Sequence, residues 1–173
     1  MNDGLPTVYF NDLGRDFTCY FFEADTTPPD RIGKLMVFYR LWKEAWKEDR
    51  IPAWSDFKFE DFIGWHTYMS VMDIGGTPED YKRNLIVGEA FAQCFGRKTL
   101  YEAIKSGNPP EKDISIQGYE KYLSLMHKKH ICVCEGTATD TKGEIRKFKW
   151  IDLPLSDDGE DVSHIITAIQ YED

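Results

Sequence analysis

Apolar residues recur at three- and four-residue intervals in two stretches of the chain and run in strand-like blocks in most of the rest. Over residues 30–50, Ile32, Leu35, Tyr39, Trp42 and Trp46 fall on one helical face, and Asp30 is placed to cap the first turn. Phe38, Leu41 and Ala45 widen that stripe on one side and Met36 on the other. The arc is broader than the ~100° a helix needs to dock once, which leaves apolar surface for a partner. Ile51-Pro52 ends this helix, and a short second one is predicted over 59–65 with Ser55 or Asp56 near its start. Strands follow at 67–74 and 81–87, with Gly75-Gly76-Thr77-Pro78 between them. Residues 89–95 form a short helix ended by Gly96, 100–105 a further helical turn and 106–110 a loop. A second long helix spans 116–129, with Tyr119, Tyr122, Leu123 and Met126 on one face. The last third is β-rich. Strands at 131–139, 144–155 and 162–171 are joined by Asp140-Thr141-Lys142-Gly143 and by Asp157-Asp158-Gly159. Consecutive hairpins with helices between them predict an α+β domain: an antiparallel sheet with helices on one face.

Residues 1–29 read differently. Val8-Tyr9-Phe10 and Cys19-Tyr20-Phe21-Phe22 are apolar, but Asn11-Asp12-Leu13-Gly14 separates them and Thr26-Thr27-Pro28-Pro29 stops them. They are expected to form an N-terminal arm, with the domain proper covering 30–173 and opening on the flanking helix 30–50.

Composition narrows the functional classes. The 173 residues are 42% hydrophobic and 14% aromatic, enough to bury a substantial core. A net charge of −9 repels polyanions, so nucleic acid is not an expected partner. No apolar run is long enough to cross a bilayer and no basic-plus-apolar leader opens the chain, so the expected compartment is the cytoplasm. The four cysteines, at 19, 94, 132 and 134, follow no disulfide-rich spacing and read as reduced, small hydrophobes.

Several local pieces, in this order, carry a resemblance. They are Leu41-Trp42 through Ile51-Pro52, Ser55-Asp56-Phe57, Val87-Gly88-Glu89, Cys94-Phe95-Gly96-Arg97 and Leu153-Pro154-Leu155-Ser156-Asp157-Asp158-Gly159. From about residue 30 onward the chain resembles the proteobacterial PAS-domain family whose members open with a Trp-bearing helix. It departs from that pattern at Leu85, where many members have Arg, and at Lys98-Thr99-Leu100, where a Thr-Gly is common. The resemblance implies a PAS-like five-stranded antiparallel sheet and a sensory or regulatory role in bacterial signalling. It also implies output through protein contacts, as a homodimer or on a separate effector protein, and a cup between sheet and long helix for a small organic ligand. Tyr68, Phe91, Phe95, Tyr122, Met126 and Trp150 are the candidate linings; filling one another as solid core is the competing reading. Phe38, Trp42 and Trp46 are the candidate interface anchors, against covering the domain's own sheet.

Chemistry is otherwise sparse. The chain has no nucleophile elbow, Walker-type loop or zinc-protease helix, so no catalysis is expected. Cys94 precedes Phe95-Gly96-Arg97 rather than standing in the Asn-Cys-Arg setting of PAS-like flavin photochemistry, so light sensing is not expected. His130, Cys132 and Cys134 share one strand face, but neighbours two apart on a strand are ~6.6 Å apart, too far for three in line to close on one ion. Haem through His127 or His130 on the long helix is the weaker cofactor alternative to a helix-terminal histidine that complements the dipole. An enzyme with an acid or base such as Asp73 or His66 in an apolar cavity is the remaining alternative; it requires a polar residue deep in the core.

Overall fold

The structure is a computed structural model and describes residues 5–12, 14–47, 50–75, 84–95, 115–140 and 142–172. The expected helical turn at 100–105, the loop at 106–110, Gly96-Arg97 and Lys98-Thr99-Leu100 lie outside them.

One antiparallel sheet organises the molecule. Its strands are β1 (Thr7–Asp12), β2 (Arg15–Glu23), β3 (Met69–Asp73), β4 (Asn84–Val87), β5 (His130–Thr139), β6 (Ile145–Leu155) and β7 (His164–Glu172). Across the sheet they lie in the order β1-β2-β5-β6-β7-β3-β4. Among the described residues the sheet therefore has seven strands where five were expected. The five from residue 69 onward are contiguous within it, and the other two come from the supposed arm. In that arm β1 and β2 pair as a hairpin, with Asp12 opposite Arg15 and Gly14 at φ 75°.

What sequence periodicity could not reveal is that β2 then pairs along its whole length with β5, from Arg15 opposite Ala138 to Glu23 opposite His130. The two backbones press together at Gly136, where a Cβ would come within 2.5 Å of the Phe17 Cα. The same register sets Cys19 opposite Cys134, and the two form a disulfide. Reduced cysteines were expected at both positions; the correction follows from pairing between segments 115 residues apart.

Both faces of the sheet are apolar, because side chains alternate along each strand. One face carries Val8 and Phe10 from β1, Phe17, Cys19 and Phe21 from β2, Phe148 and Trp150 from β6, and Ile165 and Ile169 from β7. It is covered by α2 (Glu89–Phe95) and α3 (Ser115–His127), which contribute Phe91, Tyr122, Leu123 and Met126. The other face carries Phe22, Ile131, Val133, Ile151, Leu153, Ile166, Met69 and Val71. It is covered by α1 (Met36–Ala45) and by short 3-10 turns at Asp30–Leu35, Trp54–Asp56, Phe59–Phe62 and His66–Tyr68. Helices thus lie on both faces rather than one.

The long helix expected over 30–50 is broken. Gly33 takes φ 56°, ψ −129°, so the first turns are 3-10 and the α-helix proper begins only at Met36. At its end Trp46 is extended, and the chain turns into the bridge that pairs Lys47 with Arg50. The segment expected as a second helix over 59–65 is a 3-10 turn. The β6–β7 connection is built as its residues suggest. Asp158 accepts from the Asp161 and Glu160 backbone N–H groups and from the Ser156 hydroxyl, which holds its carboxyl down at about 2.

Two predictions follow from this architecture. Trp42 is buried and its Nε1 donates to the Pro154 carbonyl at 2.9 Å, so Trp42→Ala should lower stability by ~3–5 kcal/mol in urea unfolding. Breaking the Cys19–Cys134 bond, by reductant or by Cys19→Ala, should cost ~2–4 kcal/mol through the long loop it closes. Reductant should shift the wild-type unfolding midpoint and leave that of Cys19→Ala in place.

Candidate functional site

Polar side chains are scarce in the core, and several of them line up. On the face under α3, the register sets Cys132 of β5 opposite Asp152 of β6, Asp152 opposite Thr167 of β7, and Thr167 opposite Ser70 of β3. All four are buried. The row crosses the middle of the sheet.

Asp152 is its centre. Its Oδ2 accepts from the Tyr122 hydroxyl and from Trp150 Nε1, each at 2.8 Å, and its Oδ1 accepts from the Thr167 hydroxyl at 2.5 Å. Burial drives the carboxyl up to about 6, against the pull of these three donors, which favour the charged form. The same burial, with the Asp152 charge nearby, pushes the Tyr122 hydroxyl and the Cys132 thiol well above their ordinary values. Every hydrogen-bonding oxygen of the carboxylate has a protein partner, which is what a buried polar group requires.

Beside this row lies a cluster of sulfur. Cys132 Sγ is 3.4 Å from Cys134 Sγ, and the Cys19, Cys132 and Cys134 sulfurs all fall within 4.8 Å of one another, fully buried. The spacing argument against three in-line ligands holds for β5 alone. It missed that the third member comes from the neighbouring strand.

The candidates singled out from sequence separate as follows. Phe91, Tyr122, Met126 and Trp150 belong to one packed cluster under α2 and α3, with Phe21 and Phe17 against the Tyr122 and Trp150 rings. Tyr68 is 40% exposed and is not part of that cluster. Phe95 ends α2, and its side chain is outside the described residues. Phe38 and Trp42 face the sheet in the opposite cluster. Trp46 is half-buried with its ring edge-on to Trp42. His127 is exposed at the end of α3. His130 begins β5 instead of extending the helix. It lines a groove of about 840 Å³ formed with Leu5, Pro6, Phe21 and residues 26–31. Asp73 is half-buried and accepts from the Gly75 N–H, while His66 stacks on Phe59 and bonds its carbonyl. Neither is the deep polar residue that an enzyme reading required.

That residue is Asp152, which the sequence reading passed over. The signal was present, since a lone acid interrupts the otherwise apolar run from Trp150 to Leu155.

Comparison with models of known protein families finds no match, and comparison with curated proteins finds none either. Among solved structures the chain is similar to one described as an RNA-binding light-oxygen-voltage receptor, with 11% sequence identity and a TM-score of 0.41. The alignment covers 96% of this chain, which spans 38% of that receptor's length. The likeness is too loose to assign a family.

The Asp152 geometry predicts a pH dependence of stability. A carboxyl that titrates at about 6 when folded, above its ordinary 3.8, binds its proton more tightly in the folded chain. Stability is therefore lost as pH rises from about 4 to about 6, by ~3 kcal/mol for a shift of about two units. Asp152→Asn keeps an acceptor for Tyr122 and Trp150 and turns an amide toward the Thr167 hydroxyl, which can then accept. Urea unfolding at a series of pH values should show this loss in the wild type and not in Asp152→Asn. Asp158 does not mask it, because its depressed carboxyl acts between about 4 and about 2.

Proposed function

We propose that this chain is a PAS-like sensory or regulatory module of bacterial signalling that acts through protein contacts, without catalysis of its own. The observation that carries this reading is the arrangement of the strands from residue 69 onward. Two strands, then helices, then three strands build a contiguous antiparallel β5-β6-β7-β3-β4 unit, with α2 and α3 on one face and the preceding α1 on the other. This is the element order that the local sequence pieces from Leu41-Trp42 to Gly159 imply. Asp152, the acid under the packed helix, has its oxygens held by three donors and is a structural group in this reading.

Output through contacts also suits the distribution of apolar surface. Phe91, Tyr122, Met126 and Trp150 pack into one cluster, which favours the filled-core reading over a cup for a small ligand. Phe38 and Trp42 are spent on the domain's own sheet. The segment that follows α1 carries exposed apolar side chains of its own, with Phe59 59%, Ile63 75% and Tyr68 40% exposed. Homodimerisation, or docking on a separate effector, then runs through residues 59–68 and not through the inner face of α1.

Sedimentation equilibrium and native mass spectrometry test this. The expected result is self-association weakened ~30-fold or more by Ile63→Asp, the effect of one interface anchor worth ~2 kcal/mol, with an unchanged melting curve. A chain that stays monomeric at every concentration and carries a stoichiometric small molecule would overturn the contact reading.

A further inference from the structure

The sulfur cluster has one member more than its disulfide uses. Cys19 and Cys134 are directly opposite in the β2–β5 register, with Cα atoms 4.2 Å apart, and they are bonded. Cys132 is displaced by two residues on β5, diagonal to Cys19 and on the same strand as Cys134. Its Cα is ~7 Å from either, at the limit of what an unstrained disulfide spans. Exchange among the three is therefore a poor route for Cys132. Its sulfur nevertheless points at the other two, 3.4 Å from Cys134 Sγ, in a site with no exposed surface.

In a reducing compartment the Cys19–Cys134 bond opens. An external dithiol supplies two electrons, closes to its own disulfide and leaves a thiol on each cysteine. Three sulfurs then converge from two adjacent strands. An ion ~2.3 Å from each of three sulfurs in a plane holds them ~4 Å apart. The observed cluster, with all three sulfurs within 4.8 Å, needs only shifts of side-chain torsions to meet that spacing once the bond is open. The donor set is all sulfur, dry and three in number, which selects a soft ion content with three ligands over a hard one that demands oxygen or water.

We infer that the reduced chain binds one soft monovalent metal ion, of the Cu(I) class, through Cys19, Cys132 and Cys134. Each sulfur that ligates as thiolate gives its proton to solvent. The ion enters by local opening of the β1–β2 hairpin, which the disulfide no longer ties to β5. The site is independent of the PAS-like reading, since it depends only on the β2–β5 register.

The probe is Cu(I) itself, titrated anaerobically into the full chain with a chromophoric Cu(I) chelator as competitor. The reduced protein should withdraw one Cu(I) per chain from the chelator, and the oxidised protein none. X-ray absorption at the copper edge should count three sulfur neighbours. Cys132→Ala should reduce that count to two and weaken binding by at least tenfold, while a melting curve in the oxidised state checks that the variant folds. Cys19→Ala should act likewise on the reduced chain. Cys94→Ser should change nothing. Equal uptake by the oxidised protein, loss of binding in Cys94→Ser, or an undiminished sulfur count in Cys132→Ala would each overturn the assignment.

Discussion

Along β6, Ile151, Leu153 and Leu155 turn to one side of the sheet while Phe148, Trp150 and Asp152 turn to the other, and neither set is left to water. Most of the architecture follows from having to cover both. α3 and α2 close one side, and α1 with its 3-10 turns closes the other. The hairpin of residues 7–23 continues both apolar surfaces past β5. An antiparallel sheet solvated on one side needs none of this. Here the breadth of the apolar arc on α1 is consumed within the chain: Phe38 and Tyr39 pack on the sheet and Trp42 reaches across to the Pro154 carbonyl.

The elements from residue 69 onward were legible because each is announced locally. Strand runs end at Gly or Asp clusters, α3 has a three-four stripe, and Ser156 and Asp158 build the turn they suggest. What escaped was tertiary. No periodicity in residues 7–23 says that they pair with a strand more than a hundred positions later, so the hairpin read as an arm and the disulfide was invisible. The helix at 30–50 misled for a different reason. Its apolar spacing is helical throughout, but Gly33 takes a backbone conformation that spacing cannot register. Of the candidate site, Tyr122 and Trp150 were named as linings, yet their polar atoms matter as much as their rings. Both point at Asp152, buried under them.

That acid is an energetic burden in an otherwise apolar layer. Its three donors compensate for lost hydration only in part, which is why its proton is held so far up the scale. Yet the arrangement is restrictive. Tyr122 belongs to α3, Trp150 to β6 and Thr167 to β7, so the carboxylate fixes the helix against two strands at one depth and one rotation. Apolar packing alone tolerates sliding by a fraction of a turn; three directed hydrogen bonds do not. The side of the sheet that α1 covers has a counterpart of weaker kind. Arg31, Glu135, Lys149 and Glu172 form a chain of ion pairs at 2.7 to 3.6 Å across β5, β6 and β7, partly open to solvent and correspondingly soft.

The long span between β2 and β5 has a consequence for synthesis. A ribosome delivers the Phe-rich hairpin first and its partner strand only after α1, β3, β4 and α3 have emerged. Until then Phe17, Phe21 and Phe22 have no sheet to join, and the β2 edge stands unpaired in a nascent chain that is still lengthening. The hairpin is thus made well before the strand it joins. The chain is most exposed to mispairing in the interval between β2 and β5, and a chaperone that shields residues 15–23 would guard the step on which the sheet is completed.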